Sequence, residues 1–159
     1  MVAVEPASDG TELSRWLPYV SVDDVDRAVG TTVSAGGTVA ATARNVPLGR
    51  VAAIVDRDGA VIGLARSDIG DPDDKTTAPA PGRVIGTALL TTAVAAPTEF
   101  YARVVGYAAR TIERGGGEVT LLGKNGSDRV GVLENPVPDW TPIWLTYFGV
   151  EDAAAAAAR

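Results

Sequence analysis

A nine-residue segment occurs twice in this chain, 128 positions apart. Trp16-Leu17-Pro18-Tyr19-Val20-Ser21-Val22-Asp23-Asp24 returns as Trp144-Leu145-Thr146-Tyr147-Phe148-Gly149-Val150-Glu151-Asp152. Five of the nine positions are identical, and Asp23/Glu151 keep the charge. At the same offset, Val2-x-Val4 matches Val130-x-Val132. A chain that restarts in this way must fold as repeated units. It holds one period and the opening of the next.

Local patterns define the unit. Leu17–Val22 alternates and reads as a strand. Asp23 or Asp24 is suited to cap a helix. Val25, Ala28, Val29 and Val33 then recur at helical spacing, and Gly36-Gly37 ends the helix. Thr38–Ala43, Arg50–Asp56 and Ala60–Arg66 read as strands, the last two joined through a tight Asp58-Gly59 turn. This is one βαβββ unit over 14–66. The Asp-, Pro- and Thr-rich stretch 67–84 reads as a linker. A second βαβββ unit follows over 85–134, with Pro97 in the first helical turn and Phe100, Tyr101, Val104 and Val105 as its apolar face. Residues 139–159 open a third unit as strand and helix. Residues 1–13 hold a leftover strand of a preceding one. The fold class is α+β.

Composition narrows the chemistry. There are 14 basic and 20 acidic residues, a net charge of −6, and no basic run interleaved with aromatics. Nucleic acid and anionic membrane surfaces are therefore poor partners. No apolar run reaches the roughly 18 residues of a membrane span, and the N-terminus lacks a signal pattern. A cytoplasmic location is expected. Without Cys there is no thiolate chemistry. The absence of His is the sharpest restriction. Neutral-pH base catalysis and most transition-metal sites lean on imidazole.

Several stretches, taken in order, carry a family resemblance. They are Tyr19 to Asp26, Ala35-Gly36-Gly37-Thr38-Val39, Val46-Pro47-Leu48-Gly49-Arg50, Asp56-Arg57-Asp58-Gly59 with the following Ala60 to Leu64, Leu89-Leu90-Thr91-Thr92, and Phe100-Tyr101. With their spacing they resemble the glyoxalase, bleomycin-resistance and extradiol-dioxygenase proteins (the vicinal oxygen chelate superfamily), in particular its glyoxalase-like or hydroxylase-like actinobacterial members. The resemblance implies paired modules forming a half-open eight-stranded barrel, here permuted or segment-exchanged. It also implies a metal held by a His in a unit's first strand and a Glu in its last. Those positions fall at Leu17, near Thr87, and at Leu145 for His, and at Gly63 and Gly131 for Glu. No metal ligand stands there, so no metal or other cofactor is expected.

Strand alternation puts Leu17, Tyr19 and Ser21 on the concave side of the sheet. Tyr19 and Tyr147 share a repeat position and are candidate hydrogen-bond or proton donors. Glu118 is a candidate base if burial raises its pKa. Trp16 and Trp144 are candidate stacking surfaces, and Trp140 in its Pro-rich approach is a candidate lid over the ligand or a dimer contact. Leu17 and Leu145 are candidate wall residues. Ser21, Thr91, Arg50 and Arg129 are candidate polar anchors. Each also has a plain structural reading: wall packing for the aromatics, sheet-edge ion pairs for Glu118, Arg50 and Arg129.

Three functions follow as expectations. One is a metal-independent natural-product tailoring enzyme, closing a ring, opening an epoxide or rearranging an aromatic or polyketide-like substrate by acid–base action. The second is an antibiotic-binding resistance protein that sequesters a drug without chemistry. The third is a non-catalytic half of a larger two-domain protein. Open strand edges and the short Ala-rich helix predict a homodimer.

Overall fold

A computed structural model of the chain describes residues 2–3, 16–70, 81–135, 137 and 139–158. Residues 1 and 4–13 of the expected leftover strand, 14–15 of the expected first unit and 71–80 of the expected linker lie outside the described residues, as do 136, 138 and 159.

The first module contains β2 (Leu17–Ser21), α1 (Val25–Ser34), β3 (Thr38–Val46), β4 (Gly49–Val55) and β5 (Val61–Ser67), preceded by β1 (Val2–Ala3). The second contains β6 (Val84–Thr91), α2 (Ala95–Val105), β7 (Ala108–Arg114), β8 (Gly117–Lys124) and β9 (Ser127–Glu134). The repeat then gives β10 (Ile143–Phe148) and α3 (Ala153–Ala157). The architecture is α+β and consistent with a glyoxalase-type fold.

Two five-stranded sheets result, ordered β1-β2-β5-β4-β3 and β10-β6-β9-β8-β7. The same rule builds both. A module's first strand lies parallel to its last, as a helical crossover requires. The other neighbours are antiparallel, and an extra strand (β1 or β10) adds antiparallel to the first. Among the described residues the two sheets share no backbone ladder. They meet through their helices, with α1 on β3, β4 and β5 and α2 on α1 and β7, and through β10, which lies against β2 and β5.

One core therefore serves both modules. Val20, Ile54, Ile62 and Leu64 from the first sheet join Leu89, Leu122, Val130 and Val132 from the second. Between them stand Val25 and Ala28 of α1 and Phe100, Tyr101, Val104 and Val105 of α2. Gly37 sits at a close approach in this seam. A Cβ there would crowd the Val55 carbonyl at 2.6 Å and the Phe100 ring at 3.0 Å.

Local chemistry fixes the element ends. Asp24 accepts from the Arg27 backbone N–H at 2.9 Å and caps α1. Its repeat partner Asp152 caps α3 in the same way, accepting from Ala154 and Ala155. The two helices differ in what they cover. α1 buries Val25, Ala28 and Thr32, whereas α3 buries nothing. α3 thus draws on its cap and on alanine's helix propensity rather than on burial. No helix among the described residues is long and apolar enough to cross a membrane.

Candidate functional site

Each sheet has one face packed on helices and one face turned away. In the first sheet, Leu17, Tyr19 and Ser21 share the face away from α1, because Val20 between them enters the core. Tyr19 lies beside Gly63 in the parallel ladder, and Gly63 beside Ala53, which neighbours Ala41. Beyond Tyr19 this row is therefore made of small residues. The Tyr19 ring lies over Gly63, so that a Cβ on residue 63 would come within 2.5 Å of its carbons.

The second sheet offers a longer row. Leu145, Ala88, Gly131, Leu121 and Arg110 are consecutive partners across all five strands. Leu89, Leu122 and Val130, one position along, are core residues, which sends this row to the other face. Ala88 is buried, and Leu145, Gly131 and Leu121 are half-buried. At the far end Arg110 donates to Asp128 through Nε at 2.8 Å and through Nη2. The pairing raises the Arg110 pKa and lowers that of Asp128, the side-chain hydrogen bond being the main cause. Tyr147 stands on the same side of β10 as Leu145 and is exposed.

These two faces unite Leu17, Tyr19 and Ser21 on one sheet and Leu145 and Tyr147 on the other. The remaining candidates lie elsewhere. Thr91, a candidate polar anchor, shares the parity of Leu89 and so faces the helix side rather than the open face, as does Thr87. Thr91 is buried and exchanges hydrogen bonds with the Ala93 backbone. Arg50 grips Asp26 of α1 through Nε at 2.6 Å and Nη2 at 2.7 Å, and donates to Asn45 at 2.9 Å. Glu118 is exposed at the β7–β8 hairpin, opposite Glu113. Arg129 is exposed, and its charge acts on Tyr107. Trp140 is exposed. Trp16 is 51% exposed and meets Phe148 edge-on at 5.3 Å. Trp144 is in the core on the helix side of β10.

The residues do not fit the metal that the resemblance implies. Leu17 and Leu145 offer no lone pair, and Gly63 and Gly131 no side chain. The Tyr19 ring occupies the space in which a side chain at 63 would start. Among the described residues no three His, Cys, Asp or Glu side chains cluster to hold an ion.

A buried polar relay at the junction was not legible as a site in the sequence. Tyr101 of α2 donates to Asp56 Oδ2 at 2.9 Å, and the Trp144 indole N–H donates to the Tyr101 hydroxyl at 3.0 Å. The backbone N–H groups of Asp58 and Ala60 donate to Asp56 Oδ1. Burial raises the Asp56 pKa, with these donors opposing it. Burial, then the nearby Asp56 charge, pushes the Tyr101 phenol well above its usual range. The available signal was a tyrosine on the apolar face of a helix, since a buried hydroxyl needs a partner.

A cleft of about 300 Å³ lies between the start of α1 and the end of α2. Asp23, Asp24, Arg27, Thr31, Arg103 and Lys124 line it. Lys124 donates to Asp23 at 3.2 Å and Asp24 caps α1, so two of its acidic groups already serve the seam.

Comparison with known proteins adds a lineage. The chain is 36% identical over 148 residues to proteins named "Putative glyoxylase CFP32" from Mycobacterium bovis and Mycobacterium tuberculosis. The match covers 91% of this chain and 55% of each relative, so the chain spans about half the length of the curated relatives it matches. No family model matches. The identity over most of the chain, with the modular fold, supports a glyoxalase-like superfamily.

Proposed function

We propose that this chain is a metal-independent small-molecule-binding protein of the glyoxalase fold. Its ligand is a flat aromatic or polyketide-like molecule laid against an open sheet face. The observation that carries the reading is the row Leu145–Ala88–Gly131–Leu121, apolar across four strands and closed by the Arg110–Asp128 pair. At about 4.8 Å per strand, the apolar part spans roughly 14 Å, the length of a fused-ring system. Glycine at 131 leaves the floor flat, because a Cβ there would meet only Ala88 at 3.7 Å. Tyr147 at the rim supplies a phenol for a ligand oxygen, and Tyr19 plays the same part on the first sheet.

The name of the relatives points to glyoxalase chemistry. On this chain that activity lacks donors at Leu17, Leu145, Gly63 and Gly131, which favours binding over metal catalysis. A tailoring enzyme is the second reading. It is favoured by the two tyrosines at equivalent repeat positions on open faces, as acid–base groups. The exposed α3 further suggests a homodimer, for which light scattering is the direct test.

A thermal-shift screen tests the binding reading. Aromatic polyketides and glycopeptide drugs are compared with Zn²⁺, Ni²⁺ and Fe²⁺ alone. A fused-ring ligand is expected to raise the midpoint, and Gly131→Leu to abolish the rise by filling the floor. Stabilisation by a metal alone, or equal ligand stabilisation of the Gly131→Leu variant, overturns the reading.

A further inference from the structure

We propose that the Asp56–Tyr101–Trp144 relay is a pairing key: it admits one copy of the repeated tryptophan, Trp144, to the junction between modules and leaves the other, Trp16, outside.

The repeat sets the problem. Trp16-Leu17-x-Tyr19 and Trp144-Leu145-x-Tyr147 are nearly the same strand-opening sequence. Hydrophobic burial alone does not distinguish two such strands, because it is non-directional. Yet the two indoles have opposite fates. Trp144 is 4% exposed and Trp16 is 51% exposed.

The difference lies in what each indole finds. Trp144 meets Tyr101 edge-on at 5.3 Å and has a hydroxyl acceptor for its N–H. Tyr101 can accept that bond because its own proton goes to Asp56, whose other oxygen is held by two backbone N–H groups. The chain of donors is complete and has one direction: indole to phenol to carboxylate. An indole without an acceptor would leave a buried donor unpaired, at a substantial cost. The equivalent helix of the first module offers nothing similar. Its buried residues are Val25, Ala28 and Thr32, and the Thr32 hydroxyl is spent on the Ala28 carbonyl. The hairpin matching the Asp56 loop in the second module is the two-residue turn Asn125-Gly126, which has no carboxylate.

The three residues also come from three successive units. Asp56 follows β4, Tyr101 is on α2, and Trp144 is on β10. Satisfying all three at once fixes β10 against both modules. Buried polar groups are best attested in this role, as selectors of register. The key does not depend on the proposed ligand.

Hydrogen exchange of the three indole N–H groups, followed by NMR on the intact chain, tests it. In the unaltered protein one indole is expected to be protected at least tenfold more than the others. Trp144→Phe should remove that resonance. Tyr101→Phe keeps the ring and deletes the hydroxyl, and should speed exchange at Trp144 by about tenfold without changing Trp16. Asp56→Asn serves as a second variant with the same expectation. Equal protection of Trp16 and Trp144 in the unaltered protein overturns the key, whatever the variants do. So does a Tyr101→Phe or Asp56→Asn protein in which Trp144 exchange is unchanged.

Discussion

The Tyr19 ring lies over Gly63, its neighbour in the parallel β2–β5 ladder. Each residue needs the other's size. Glycine gives the ring a floor, and the ring covers backbone that would otherwise be open. Gly63→Ala should therefore destabilise the chain by about 1–3 kcal/mol, the usual range for forcing atoms into filled space. Tyr19→Ala in the same chain should abolish most of that penalty. Denaturant melts of the two single variants and the double variant give the coupling. Additive effects would mean that the ring does not rest on Gly63.

The two repeated tryptophans should separate cleanly in stability. Trp144→Ala removes a core indole and leaves the Tyr101 hydroxyl without its donor. A loss of about 3–5 kcal/mol is expected for this class of truncation. Trp16→Ala removes one exposed edge contact with Phe148, with an expected loss of about 1 kcal/mol or less. Equal losses for the pair would contradict the buried and exposed placements.

These contrasts show what the sequence could and could not reveal. Alternation, caps and turn residues were enough to read the α+β class built on βαβββ units, because each signal is local. Asp24 capping α1 and Asp152 capping α3 are examples, since a cap needs only its own first turn. The 128-residue repeat located Trp16 and Trp144 as equivalents. It could not say that one is buried, because that depends on Tyr101 and Asp56, 43 and 88 residues from Trp144. The face of Thr91 was hidden for a related reason. Its face was set by the register that drives Leu89 into the core, which a short strand with apolar residues on both sides does not disclose. The open row ending at Arg110 needs four strand registers at once, and none is written in a single segment.

Asp56 makes an acid-range prediction. Burial raises its pKa in the folded chain above the ordinary 3.8. The folded state then holds this proton where the unfolded state has released it. The group's contribution to stability is full below pH 3.8 and is lost as pH rises through the folded value. The exposed Asp26 and Asp128 work in the opposite sense, since Arg50 and Arg110 lower theirs. Their contribution is present above pH 3.8 and is lost as pH falls through the folded values. Asp56→Asn should thus remove a decline in melting midpoint on the high side of pH 3.8, leaving the acid-side decline in place. A variant whose pH profile parallels the unaltered protein throughout would rule out this role for Asp56.

The alkaline limb rests on two phenols. Burial pushes Tyr107 up to about 12, with the Arg129 charge acting against it, and pushes Tyr101 well above its usual value. Both groups are held protonated by the fold, so the unfolded chain releases their protons first as pH rises past 10. Their contribution to stability is complete below pH 10 and is lost as pH climbs through the folded values. Tyrosinate absorbance and far-ultraviolet circular dichroism, followed together from pH 9 to 13, check this. Part of the tyrosinate signal should appear only with the loss of secondary structure. Tyr107→Phe should extend the folded range upward, because it keeps the buried ring and removes one of the two late-titrating protons. The same change should leave the acid limb untouched. If all tyrosinate absorbance develops before the circular dichroism signal falls, the burial of these two hydroxyls is not what limits stability at high pH.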